Sequence, residues 1–241
     1  MSNPIDVTLH AMGSETATGQ GSSVDLVSTL RTTARLGLSI LAVSGTDTPT
    51  MTVTIQTSPD GTTWRDAMAF PAITSVGKTY LFPGNLDQYI RASWAITGTD
   101  PSFTFALTGQ GHVIYAERQD LIDLGIPASA LSNVSLSAQY RALITASGVA
   151  DVHLNRVFTL PLSEWGESLR RIVAAIAAFD LRKVKGFKPE GTDQLIKYSY
   201  EDSNLSLRML EDKTKPPDIV DATPDTFDAG VIVHSSPSRG W

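Results

Sequence analysis

Four histidines, His10, His112, His153 and His234, are the side chains of this 241-residue chain best suited to metal ligation or proton transfer at neutral pH. None stands at ligand spacing from another histidine or from a carboxylate cluster, so each reads as a surface or structural residue. Acidic pairs occur at Glu201/Asp202 and Glu211/Asp212. Adjacent positions on a helix diverge by about 100°, so these pairs suit solvated charges better than a catalytic dyad. The chain contains no Gly-x-Ser-x-Gly elbow, no Walker phosphate loop and no dinucleotide fingerprint. Gly109-Gln110-Gly111 lacks the third glycine and a following helix, and reads as a hinge at a domain junction. Trp64, Tyr80, Tyr89 and Trp94 could line a carbohydrate face; alternatively Trp94 is core and the others pack near strand ends. There is no cysteine, which removes disulfides and thiolate metal sites. The expectation is no catalytic residue, no metal, no cofactor, and a chain that is not an enzyme.

Charge bounds the partners. With 19 basic and 25 acidic residues the formal net charge is −6. A protein that grips nucleic-acid phosphates tightly carries a basic excess, so this one is expected at most to stand beside DNA. The first residues, MSNPIDVTLH, show neither a basic nor an apolar leader segment, and without a secretory leader the Asn133-Val134-Ser135 sequon carries no weight. The longest strongly apolar runs, Leu36–Val43 and Ile172–Phe179, are about eight residues each. A bilayer span needs about 20, so no membrane segment is expected.

The elements that would position any site differ between the two halves. Up to about residue 114 apolar residues alternate: Leu36, Leu38 and Ile40; Met51, Val53 and Ile55; Ile90, Ala92, Trp94 and Ile96; Phe103, Phe105 and Leu107. Period-two patterning signals half-buried strands. Ser58-Pro59-Asp60-Gly61, Gly45–Pro49, Pro83-Gly84-Asn85 and Gly98–Pro101 supply turn chemistry between them. Seven or eight short strands in an antiparallel β-sandwich are predicted over residues 1–112, with Gly13–Ser23 as a mobile loop.

After Tyr115 the period becomes helical. Short helices are predicted at Ala116–Leu124 and Pro127–Leu131, and a longer one from Leu136 toward Arg156. A further helix is capped by Ser163 and runs through Leu181, and a last one spans Thr192 to Asp212. The stretch Ile172–Phe179 is apolar or Ala on nearly every side, which places it inside a bundle or oligomer. Gly186 is expected to stop that helix. In the last helix Leu195, Tyr198, Leu205, Met209 and Leu210 are expected to form the apolar face. The predicted fold class is therefore α+β in two domains: a sandwich over 1–112 and a small helical bundle over 113–212. An extended tail follows over 213–241. Pro216, Pro217, Pro224 and Pro237 oppose regular structure in the tail, while Phe227, Val231, Ile232, Val233 and Trp241 are spaced anchors suited to docking.

Several of these residues fall in an ordered set: Tyr115 with Ala116-Glu117-Arg118-Gln119-Asp120-Leu121; Asp151, Leu154 and Arg156 at a helix end; Leu160-Pro161-Leu162; then Leu169-Arg170-Arg171-Ile172 running into an Ala-rich segment and Leu181-Arg182. The helical half thereby resembles the head–tail adaptor family of long-tailed, Mu-like phages. It departs from the family pattern where Val157 precedes Phe158 after the arginine. The resemblance implies a virion neck protein, assembled in the host cytoplasm, whose copies form a ring of twelve. That ring would lie between the portal protein and a tail-side connector or tail terminator, and DNA would slide through its lumen. On this reading Phe227, Val231, Ile232, Val233 and Trp241 dock on the portal or a neighbouring subunit. Thr57–Trp64 is similar to hairpins of β-sandwich modules in virion proteins, which could touch capsid or a fibre. The alternative is a carbohydrate- or capsid-binding module of another virion structure.

Overall fold

The computed structural model describes residues 4–28, 30–124, 126, 128–185, 192–210 and 219–220. The N-terminal part is an antiparallel sheet of seven strands: β1 (Ile5–Glu15), β2 (Gly19–Gln20), β3 (Val24–Asp25), β4 (Thr33–Ser58), β5 (Arg65–Ala69), β6 (Gly77–Leu81) and β7 (Tyr89–His112). It is followed by α1 (Arg118–Asp123), α2 (Ala128–Ser132), α3 (Leu136–Leu154), α4 (Glu167–Lys185) and α5 (Thr192–Leu210). A small pair, β8 (Glu164–Trp165) with β9 (Ile219–Val220), joins the helices.

The antiparallel β character, the seven strands and the helical second half agree with the sequence; the strand lengths do not. The alternations at Leu36–Ile40 and Met51–Ile55 lie on one 26-residue strand, β4, and those at Ile90–Ile96 and Phe103–Leu107 on one 24-residue strand, β7. These two pair along their whole length, from Thr33 opposite His112 to Ser58 opposite Tyr89. The turn signals at Gly45–Pro49 and Gly98–Pro101 form no hairpins between separate strands. Gly45 (φ +124°) and Gly98 (φ +119°) take up backbone that L-residues rarely adopt, in a region of register shifts that bends both strands together. A Cβ on Gly45 would lie 2.9 Å from Asp100 O and Pro101 Cα, and one on Gly98 would lie 3.1 Å from Pro49 Cα, so each glycine accepts the opposite proline.

The consequence is a sheet folded back on itself. Trp94 and Phe105 are eleven positions apart on β7, a span of about 36 Å if straight. Their rings meet edge to face at 5.5 Å. The inward residues of both halves, including Leu38, Val53, Ile90, Phe105 and Leu107, are fully buried between them. Ser58–Gly61 does turn the chain as expected, with Asp60 Oδ1 accepting the Thr62 and Thr63 amides at 2.8 Å each.

Two glycine-rich stretches are corrected. Gly13–Ser23, predicted as a loop, is paired in part: Gly13–Glu15 lie on β1 with Gly13 opposite Phe105, and Gly19–Gln20 form β2 with Gly19 opposite Trp94. A Cβ on Gly19 would sit 3.0 Å from the Trp94 ring, and one on Gly21 would sit 2.1 Å from Leu9 O, so the glycines serve close approach over the core. Gly109-Gln110-Gly111 is no hinge but central strand, paired with β1 and β4 on both sides. A Cβ on Gly109 would lie 2.0 Å from Arg35 O, which explains the residue without mobility.

In the helical region α4 carries the core as predicted: Val173, Ala174, Ala175, Ile176, Ala177 and Ala178 are all buried. Ser163 does not cap it, because Glu164–Trp165 intervene as a strand and the helix opens at Glu167. Gly186 lies outside the described residues. α5 shows a different face from the one expected. Ile196 and Leu207 are buried, and Tyr200 stacks on Phe179 of α4 at 4.2 Å. Leu195, Tyr198, Leu205 and Met209 are 65, 54, 53 and 61% exposed. Leu210 alone of the expected face packs against the core; two apolar stripes run side by side on this helix, and α4 covers the one that carries Ile196, Tyr200 and Leu207.

The two parts meet where Gly84 faces Tyr140 of α3; a Cβ there would come within 2.1 Å of the ring. The Phe82 amide donates to Ser137 Oγ at 3.1 Å beside it. Among the described residues no helix is long and apolar enough to cross a membrane.

Candidate functional site

The segment leaving β7 carries the first residue of the ordered set, and its backbone direction explains what the residue does. Tyr115 is completely buried. Its amide donates to Ser147 Oγ at 3.1 Å, and its phenol donates a short hydrogen bond to Asp151 Oδ1, 36 positions on. Ser147 and Asp151 are four apart, hence on one face of α3, so a single helix face receives both ends of the tyrosine. Burial, foremost, and then the Asp151 charge hold the Tyr115 phenol well above its ordinary pKa, which keeps it a donor. Trp165, at the end of β8, closes the other side with its ring edge-on at 5.1 Å.

A second tie runs beside it. Asp120 Oδ2 accepts the Glu117 amide at 2.6 Å, fixing the start of α1. The same carboxylate receives Arg170 of α4 through Nη2 at 2.7 Å and Nε at 3.3 Å. The hydrogen bond to Asp120 raises the Arg170 pKa above its ordinary value. Tyr115 thus fastens the β7 exit to α3, and Asp120 fastens α1 to α4. Between them a cavity of about 260 Å³ opens among Leu30, Thr32, Ile114, Glu117, Trp165 and Arg170.

The structure brings together Tyr115, Asp151, Leu154 and Leu162, all buried, in one core with Leu169. Leu160 and Pro161 are half-buried at its rim and Arg156 is exposed. Pro161 does not end α3, which stops at Leu154, where Asn155 caps it and the Phe158 amide bonds Leu154 O at 2.8 Å. Phe158 reaches the same core despite its displacement by Val157. Sequence reasoning missed Ser147, Trp165 and the Asp120–Arg170 pair. An acidic residue at the third helical position of α1 was the available signal for Asp120.

Phe227, Val231, Ile232, Val233 and Trp241 lie outside the described residues. Of the tail, Ile219–Val220 is described, pairing with Glu164–Trp165 of the chain's own helical region, with Ile219 buried. The histidines are dispersed: His10 stacks on Phe105 at 4.1 Å and contacts Glu15 Oε1 at 3.0 Å, while His112 is half-buried near the junction. Among the described residues no three His, Asp or Glu side chains converge as metal ligands. Glu201 is held by Lys197 at 3.5 Å on an exposed face. Of the four aromatics Trp94 is core, Trp64 lies under the Arg91 guanidinium at 4.2 Å, Tyr80 stands on β6 and Tyr89 opens β7.

No protein-family model matches the chain, and no curated protein does. Among solved structures the chain is similar to the PBSX exported protein XepA, with a TM-score of 0.34 and 13% sequence identity, over 47% of this chain and 38% of that one.

Proposed function

We propose that this chain is a structural subunit of the head–tail connector of a phage-type particle and performs no catalysis. Its copies form a cyclic ring of twelve between the portal protein and a tail-side connector or terminator, in the neck of the virion. One observation carries this reading: residues of the ordered set that resembles the adaptor family, scattered from Tyr115 to Leu169, converge on a single buried core. Spaced residues that meet in this way act as one fold-defining unit. The exposed stripe Leu195, Tyr198, Leu205 and Met209 on α5 supplies an apolar surface of the kind a ring subunit needs for a neighbour. A net charge of −6 suits a lumen through which DNA slides without sticking. The β region, as a sandwich folded from one sheet, braces the ring against capsid or a fibre. The tail residues Phe227, Val231, Ile232, Val233 and Trp241 dock on the portal or the next subunit.

The test is negative-stain imaging of the purified full chain and of particles that contain it. Rings of cyclic symmetry, or monomers that join only at the portal vertex, are the expected results. Mature particles lacking the protein at that vertex refute the reading. Leu205→Glu and Met209→Glu, both at exposed positions, should leave the melting curve almost unchanged and abolish ring formation.

A further inference from the structure

The outer face of the sheet, away from the core, carries groups that a purely architectural role does not use. Tyr80 on β6 stands opposite Gly37 on β4. A Cβ on Gly37 would come within 3.2 Å of the Tyr80 ring, so the missing side chain lets the phenol lie down over the sheet, still 45% exposed. Two cations converge on that ring. The Arg35 guanidinium carbon and the Lys78 ammonium nitrogen are each 5.2 Å from its centroid. Neither forms a salt bridge with a carboxylate among the described residues. Lys78, foremost, and Arg35 hold the Tyr80 phenol below its ordinary pKa.

The far side is different in kind. Across β7 and β1 stand Thr108, Gln110, Thr8 and Asp6, with Gln110 Nε2 donating to Asp6 Oδ1 at 3.2 Å. The whole lines an open trough of about 460 Å³, inside the range of roughly 300–1,000 Å³ usual for small-ligand sites. One end offers an aromatic ring and two positive charges, the other hydroxyls, an amide and a carboxylate. A polyphosphate would meet Asp6 as a like charge, and a neutral sugar would leave both cations unanswered. A hydroxyl-rich ring that also bears a carboxylate satisfies both ends at once.

We propose that this trough binds an acidic saccharide, with its carboxylate between Arg35 and Lys78, a sugar ring against Tyr80 and hydroxyls bonded to Gln110 and Asp6. The site stands independently of the connector reading, since a ring subunit and a free binding module could equally present it. The uronate and sialate classes share this chemistry and are separated by the probes.

The experiment titrates the full chain by calorimetry with trigalacturonate, sialyllactose, maltotriose and a short DNA duplex. Binding of at least one acidic saccharide, with maltotriose about tenfold weaker or more, is expected. Arg35→Gln and Lys78→Gln should each weaken it by about tenfold, in line with loss of a charge-assisted hydrogen bond. Asp6→Asn separates the mechanisms: it should weaken a saccharide that donates hydroxyls to the carboxylate, whereas it would strengthen any ligand held by charge alone. Tyr80→Ala should weaken binding too. If that variant loses its far-UV spectrum, the exposed Arg35 and Lys78 variants carry the decision. Failure of both acidic saccharides to bind more tightly than maltotriose overturns the proposal, as does duplex binding equal to theirs or tighter binding by Asp6→Asn.

Discussion

Replacing Tyr115 by Phe removes one oxygen from the interior and leaves the ring in place. The acceptor left behind, Asp151, is 1% exposed, so water does not readily replace the lost donor. A buried hydrogen bond to a charged group contributes about 1.5–3 kcal/mol. A loss of about 2 kcal/mol is expected for Tyr115→Phe, which for a chain of this size lowers Tm by roughly 4–8 °C. Asp151→Ala should cost at least as much, because it strands the phenol and opens a small void. The double variant has no unpaired group at this contact and should be destabilised by less than the sum of the two, with a coupling of about 1 kcal/mol or more. Urea denaturation followed by far-UV circular dichroism measures all four corners of the cycle. In an alkaline titration of the wild type, Tyr115 should be the last tyrosine to ionise. Single variants whose effects add within about 0.5 kcal/mol would refute the claim that this contact joins the β7 exit to α3.

His112 gives a pH dependence: burial, foremost, and the Arg35 charge lower its pKa below 6.5, with Asp151 opposing. The unfolded chain then binds more protons between the folded value and 6.5, so this stabilisation is present above pH 6.5 and is lost as pH falls through the folded value. His112→Gln should flatten that segment of the curve of denaturation midpoint against pH. Two glycines should respond in opposite directions. Gly45→Ala forces a side chain onto φ +124° and against Asp100 O at 2.9 Å, and is expected to cost about 1–3 kcal/mol. Gly148→Ala, inside α3 with nothing within 4 Å of the new methyl group, should stabilise by about 0.5–1 kcal/mol. Cutting the chain near residue 112 should yield a β-type spectrum for 1–112 and a helical one for 113–241; similar spectra from both pieces would refute the division.

The alternations that became strands were legible because one face of each is buried and the other is not. Their continuity was not legible. Gly45–Pro49 has the composition of a chain reversal, and only the Gly98–Pro101 segment lying against it makes it a bend shared by two paired strands. The same limit applies to α5. Leu195, Tyr198, Leu205 and Met209 fall at steps of three, seven and four residues, and Ile196, Tyr200, Ser203, Leu207 and Leu210 at steps of three and four, so both sets fit a helix face. Local pattern cannot choose between neighbouring stripes; Phe179 on α4 does, by stacking on Tyr200. In the core of the helical region Tyr115 and Asp151 could be singled out as members of a set, but their direct bond, and the Asp120–Arg170 pair 50 positions apart, follow only from the packing of α3 and α4 against the β7 exit.

That packing also separates what the molecule can present to partners. The saccharide trough is built on β1, β4, β6 and β7 from side chains on the outer face of the sheet, opposite the buried Trp94 and Phe105. The exposed α5 stripe belongs to the helical region, whose core is closed by Tyr115, Leu162 and Val173. The parts touch through Gly84 on Tyr140 and Phe82 on Ser137. Arg35 also acts on His112 at the junction, so Lys78→Gln is the charge change that leaves the helical core untouched, and Leu205→Glu leaves the sheet intact. A chain arranged in this way can lose ligand binding without losing assembly, and assembly without losing ligand binding, so each function can be measured with the other as the internal control for folding.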